Sequence, residues 1–353
     1  MVHRVRRRSP RGDVRTGAVA VIVAALATAG SANSAGDRFV LQPLVTDRAD
    51  AQLVNAWGLA ASPTGPWWVA NEARSSSTVY AGDGRKQALT VAVAGGPTGV
   101  VFNGGRGFVV HGGGVSGPAR FVYACEDGMI RGWSPSVPRG WSTEAEVAVD
   151  AGGSAAVFRG LALASGRLYA TDFHNGRVLV YDSSWRRVVR RGAFVDRSIP
   201  SWYAPFGIQA VGRRIFVTYA WRAPVNGNDA PTGGYVDEFD LDGRLVARVG
   251  HKTELDEPWG VARVPKRFGR LGGNLLVANF GSGRINVYAR RGRRWAFRGQ
   301  LPVTVPGVWG IAFGTGGMSG PRTTLFYAAG PHRWRGSTEV DVHGAFGSIV
   351  PAA

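Results

Sequence analysis

This chain of 353 residues has one cysteine, Cys125, so no intramolecular disulfide can staple the fold in any compartment. Cys125 lies in the apolar run Phe121-Val122-Tyr123-Ala124-Cys125, which predicts a small core residue rather than a nucleophile. Acidic residues are scarce. Asp and Glu number 24 against 42 Lys and Arg, a formal net charge of +18, and almost all of the cationic charge is arginine. No helical period runs far enough to support a helical fold. There is no Gly-x-Ser-x-Gly elbow, and His111, His174 and His332 show neither HxH nor HExxH spacing, so serine and zinc-helix hydrolysis have no support. Gly112-Gly113-Gly114 follows no βα unit and predicts no phosphate cradle. No nucleic-acid-binding motif accompanies the positive charge.

What is present is a short phrase repeated six times: a Gly after an aromatic or small residue, or once an arginine, then an apolar run. The copies are Trp57-Gly58-Leu59-Ala60, Thr98-Gly99-Val100-Val101, Arg159-Gly160-Leu161-Ala162, Phe206-Gly207-Ile208, Trp259-Gly260-Val261-Ala262 and Trp309-Gly310-Ile311-Ala312. Most copies are followed by an apolar strand that ends in a polar turn, as in Trp68-Val69-Ala70-Asn71 and Leu276-Val277-Ala278-Asn279. Self-similarity at roughly 40–50 residues with several strands per unit predicts an all-β fold, a six-bladed β-propeller of four-stranded blades. Blade six lacks an outer strand, and Phe39-Val40-Leu41-Gln42-Pro43-Leu44-Val45 has no blade of its own. That N-terminal strand is expected to close the ring as the outer strand of the last blade, removing an exposed edge. In blade two, either residues 108–110 or residues 121–124 could form the second strand. The long interval from Gly99 to Gly160 favours the latter, with the Gly112 region inserted. Residues 222–234, rich in Pro, Gly, Asn and Asp, predict a flexible loop.

The first residues differ in kind. Arg4, Arg6, Arg7, Arg8, Arg11 and Arg15 precede an apolar stretch at 18–29 and the small residues Ser31-Ala32-Asn33-Ser34-Ala35. This pattern predicts a secretory signal peptide over 1–35 and one propeller domain over 36–353, secreted to an extracellular or periplasmic location and not transmembrane after cleavage. Six Arg and one Asp in the leader contribute +5, leaving +13 on the mature chain.

The segment Leu53-Val54-Asn55-Ala56-Trp57-Gly58-Leu59-Ala60-Ala61-Ser62-Pro63-Thr64-Gly65-Pro66-Trp67-Trp68-Val69 resembles a family of uncharacterised secreted conserved hypothetical proteins, some of which carry PEP-CTERM sorting tails. Glu126-Asp127-Gly128-Met129-Ile130-Arg131-Gly132-Trp133, Asn279-Phe280-Gly281-Ser282-Gly283-Arg284-Ile285-Asn286 and Gly344-Ala345-Phe346-Gly347-Ser348 continue the match. Glu72 stands where the family has a small turn residue, residues 333–342 look inserted, and Pro351-Ala352-Ala353 does not match a PEP-CTERM tail. More distantly the repeats are similar to NHL-type and gluconolactonase-type propellers. The nearer resemblance implies a fold and no activity. The more distant one implies a metal-assisted hydrolase or lyase as the alternative to a binding protein.

Strand alternation sorts the polar residues. Turns between strands two and three share a face with the connections between blades; turns between strands one and two, and three and four, share the other. The first face gathers Glu72, Glu126, Asp172, His174, Asn279 and His332, with Tyr219 ending a strand beside them. Glu72, Asp172 and Asn279 could hold Ca²⁺ or Zn²⁺. The same Asp and Asn could instead cap their own turns. Trp57, Trp259 and Trp309 head inner strands, where they could plug the space between blades or form a ligand platform. The second face carries Arg85-Lys86, Arg139, Arg167, Arg186-Arg187, Arg213-Arg214, Arg244, Arg267, Arg270, Arg291, Arg293, Arg294 and Arg322, against Asp50, Glu72, Glu126, Asp127, Asp172, Asp229, Asp256 and Glu257 on the first. This predicts a charge-polarised disc. The expected function is that of a monomeric binding protein, taking an anionic cell-envelope polymer or a protein partner and no nucleic acid.

Overall fold

The repeat glycines stand where no side chain could fit. A Cβ on Gly58 would lie 2.6 Å from the Thr98 carbonyl oxygen, one on Gly207 2.2 Å from that of Trp259, and one on Gly310 2.6 Å from that of Trp57. Gly99, Gly160 and Gly260 abut Leu161, Phe206 and Trp309 in the same way. Each inner strand therefore presses its glycine on the next blade's backbone, and the last presses on the first. The ring geometry is the physical cause of the sequence repeat.

The computed structural model describes residues 38–140, 142–222, 233–335, 338–341 and 343–352, with side chains except at 332–335 and 338–341. The expected leader over 1–35, Asp229 and most of the 222–234 loop lie outside the described residues. Six antiparallel sheets form the blades. Their inner strands are Ala56–Ala61, Pro97–Phe102, Phe158–Ala164, Tyr203–Val211, Pro258–Arg263 and Val308–Phe313. In blade two the second strand is Phe121–Cys125, and Val109–Gly112 with Val115–Pro118 forms the inserted hairpin. In blade three the outer strand shrinks to a bridge between Tyr181 and Arg187, with the Val188 amide donating to Val180. The following chain, Arg190-Arg191-Gly192, offers no apolar alternation to prolong it.

Phe39–Thr46 closes the ring. It pairs antiparallel with Ala345–Pro351 from Phe39 opposite Pro351 to Thr46 opposite Ala345, with a register shift between Pro43 and Val45. Pro43 is tolerable there because an outer strand needs ladder donors on one side only. Phe39 stacks on Phe268 of blade five, and Val45 joins Phe346 and Ala56 in the core between blades six and one.

The turns follow strand alternation, with one correction. Asp50 and Lys86, expected on opposite faces, form an ion pair at 2.8 Å, and Asp50 also accepts the Tyr80 hydroxyl at 2.6 Å. Lys86 starts the outer strand of blade one, close to the chain entering from blade six, so it reaches across the gap between blades. The outer turns of the basic face also mix signs: Asp83, Asp182, Asp240 and Asp242 sit among the arginines. The six turns from inner to second strands differ. They hold no Asp or Glu; those of blades two, four, five and six present the exposed cations Arg106, Arg213, Lys266, Arg267, Arg270 and Arg322, with the half-buried Arg120 beside Arg106, while those of blades one and three carry no charge.

Candidate functional site

At the polar face the channel is closed by aromatic rings. Trp57 stacks on Trp309 at 3.6 Å, Phe280 stacks on the other side of Trp309 at 3.7 Å, and Phe206 and Trp259 meet Trp57 edge-on at 6.1 and 5.9 Å. Trp57 and Trp309 are 2% and 1% exposed. Rings from blades one, four, five and six thus pack on one another across the axis.

Polar groups lock this plug. Trp309 Nε1 donates to Asn55 Oδ1 at 3.0 Å, and Asn55 Nδ2 donates to Glu72 Oε2 at 2.8 Å. The Arg159 guanidinium lies 5.3 Å from the Trp57 ring and 5.8 Å from that of Phe173, and pairs with Glu126. The structure therefore links Trp57, Trp309, Glu72 and Glu126 in one assembly, with the Trp259 indole donating to the Arg159 carbonyl at 2.9 Å.

The other predicted residues stand apart from it. Asp172 is fully buried and accepts from the Val157 and Asn175 amides, the Asn175 side chain and Arg177 Nε. Asn279 accepts the Asp256 amide at 3.0 Å and donates to the Arg284 carbonyl at 3.1 Å. Both spend their polar atoms on turns. His174 is exposed, and its carbonyl accepts from Arg222. His332 lies in a hairpin, His332–Arg335 with Thr338–Asp341, and its side chain is outside the described residues. Among the described residues no group of three His, Cys, Asp or Glu side chains is placed to hold a metal ion. Cys125 is fully buried and burial pushes its thiol up to about 12, which keeps it an un-ionised core group.

Tyr219 belongs to a separate buried cluster in blade four. Its hydroxyl and Asp237 Oδ2 are buried without hydrogen-bond partners, while Arg248 pairs with Asp237 and with Asp196, the latter at 2.5 Å. Burial, opposed by Arg248, pushes the Asp237 carboxyl up from 3.8 to about 7. A raised carboxyl favours the folded state while protonated, so its stabilisation is complete below about pH 4 and is lost as pH rises through about 7. Asp196 is held low and acts below that window; Asp256, raised by burial, adds to the same fall. The melting temperature is expected to drop from about pH 5 to about pH 8 by at least roughly 2–4 °C, the shift produced by about 1 kcal/mol. Asp237→Asn should flatten that drop; an equally steep profile in the variant would refute the assignment.

The feature that sequence reasoning missed is at the opposite mouth. There the channel widens into a funnel of about 680 Å³, lined by the far ends of the inner strands: Ala61, Phe102, Leu163, Ala210, Ala312 and Phe313 among them. Above it the channel narrows to about 20 Å³ between Gly58, Gly99, Gly260, Gly310 and Trp259. The funnel is blind, most of its side chains are apolar although much of its exposed lining is polar, and the turns at its rim hold cations in four blades and no acids. The sequence signal was the apolar run after each glycine, which showed strands but not the space their small side chains leave.

No family model matches the chain. Two uncharacterized proteins of Acanthamoeba polyphaga mimivirus are similar to it. One is 32% identical over 279 residues, covering 74% of this chain and 69% of that protein; the other is 31% identical over 280 residues, covering 74% of each. Among solved structures, the apo form of the soluble aldose sugar dehydrogenase of Escherichia coli aligns with a TM-score of 0.53 at 12% identity, over 89% of this chain and 100% of that one. A glucose dehydrogenase aligns with a TM-score of 0.54 at 14% identity over the same shares. At such identities these two likenesses concern the fold alone. The chain belongs to the family of the two mimivirus proteins, and its own fold is a six-bladed β-propeller.

Proposed function

We propose that this protein is a binding protein of the cell envelope or extracellular matrix, and that it docks on an anionic polymer through the face bearing the cationic turns. The observation that carries this reading is the inner ring of six turns, four of them cationic and none with an acid, beside the further arginines of the outer turns. Among the described residues the six exposed inner-turn cations have no ion-pair partner, so none is neutralised in place. Such a surface attracts a polyanion over about a Debye length and loses that attraction as salt rises. No observation favours the metal-assisted alternative, since the oxygens of Asp172 and Asn279 serve their own turns.

The test is binding to a long polyphosphate or a teichoic-acid-type polymer across a salt series. Affinity should fall steeply with salt. Reversal of Arg291, Arg293 and Arg294 to Glu, or of Arg213, Arg267 and Arg270, should weaken it about tenfold or more, while Glu72→Ala on the polar face leaves it unchanged. Salt-independent binding, or equal losses from Glu72→Ala, would remove the reading.

A further inference from the structure

We propose that the blind funnel on the basic face binds a long-chain carboxylate, tail inward, with the anionic head held at the rim by Arg322. The inference shares its face with the docking reading and adds a second, separate observation, the funnel itself. A volume of about 680 Å³ lies within the usual range for small-molecule sites, roughly 300–1,000 Å³. Its side-chain walls are nearly all apolar. Of the polar side chains that line it, the Thr315 hydroxyl already donates to the Ser62 carbonyl at 2.9 Å and the Trp67 indole to the Ser319 carbonyl at 2.8 Å, which leaves the Gln209 amide and the Arg322 guanidinium. A sugar would bury many hydroxyls there with few partners, which is costly. An alkyl chain can lie along the apolar side chains that make up most of the wall and has no polar groups of its own to leave unpartnered. The narrowing above the funnel stops passage, so the site can hold a ligand but not conduct it. The charge at the mouth decides the head group. Arg322 lines the funnel and is exposed, and no carboxylate lies on any of the six turns around it. A guanidinium takes a carboxylate in a bidentate pair, and the cationic ring repels an ammonium head.

The experiment is calorimetric titration of the full chain with straight-chain carboxylates of rising length, each kept below its micelle-forming concentration, beside the matched alkylammonium and alcohol. Affinity should rise about three- to fourfold per methylene until the funnel is full. The ammonium should bind at least tenfold more weakly, and Arg322→Gln should erase most of that preference. Ala210→Trp fills the funnel from an inner-strand end and should abolish carboxylate binding while leaving polyphosphate binding intact. Ala61→Trp on the opposite wall repeats the test if the first variant does not fold. Affinity independent of chain length, equal affinity for ammonium and carboxylate, or unchanged binding in a folded tryptophan variant would each overturn the proposal. Loss of polyphosphate binding with carboxylate binding retained would sink the docking reading and leave this one standing.

Discussion

A chain with residues 38–46 deleted is expected to lose most of its thermal stability, melting more than about 10 °C lower or without a cooperative transition. The deleted strand carries the whole outer ladder of blade six, from Phe39 opposite Pro351 to Thr46 opposite Ala345. Its loss leaves Ala345–Pro351 as an open edge, with unpaired amides and carbonyls facing water. It also removes Val45 from the core between blades six and one, and strips Phe39 and Leu41 from the core between blades five and six. Each such side chain is worth roughly 1.5–3 kcal/mol when fully buried, and less for the half-buried pair. The total is then about 5 kcal/mol, against a whole stability of about 5–15 kcal/mol. A peptide of residues 38–46 added in trans should restore part of the loss by strand addition. A deletion that melts within about 2 °C of the full chain would mean that the ring is closed without this strand.

The legible part of the fold was the part that ring geometry forces on the sequence. A glycine is needed wherever inner strands meet backbone to backbone, so six meetings produced six copies. The closing strand could be inferred because blade six was one strand short and one strand stood unassigned before blade one. The hairpin of blade two showed itself as excess length between Gly99 and Gly160. The third blade's reduced outer strand was hidden, because a segment without alternation gives no positive signal. At the site, residue types were visible but their commitments were not. Asp172 could have been a ligand or a turn cap, and only the positions of Val157, Asn175 and Arg177 show where its oxygens are spent. The Asp50 pair with Lys86 escaped because it crosses between blades joined by the ring closure. The funnel escaped for a deeper reason. A cavity is what the side chains leave empty, and Ala61, Ala210 and Ala312 lie far apart in sequence.

Trp309→Ala should be the most damaging single substitution at the polar face, costing about 3–5 kcal/mol in chemical denaturation. Trp309 is sandwiched between Trp57 and Phe280 and touches Phe206 at 5.7 Å and Trp259 at 6.3 Å. Its removal opens a cavity on the axis that no single blade can collapse to fill, because the surrounding rings belong to blades one, four and five. It also strips Asn55 Oδ1 of the indole donor, and the loss of that hydrogen bond adds about 0.5–1.5 kcal/mol. Trp309→Phe separates the two effects. It keeps an aromatic ring in the stack and removes the N–H, so it should cost about 1–2 kcal/mol. Trp202, which is 55% exposed, supplies the control: Trp202→Ala should stay within about 0.5 kcal/mol of the parent. The comparison also bears on where ligands enter. A plug that contributes this much to stability is a fixed wall, and access to the channel is then from the basic face. A loss below about 1 kcal/mol for Trp309→Ala would show instead that the rings are held open for a ligand, and would move the candidate site to the polar mouth.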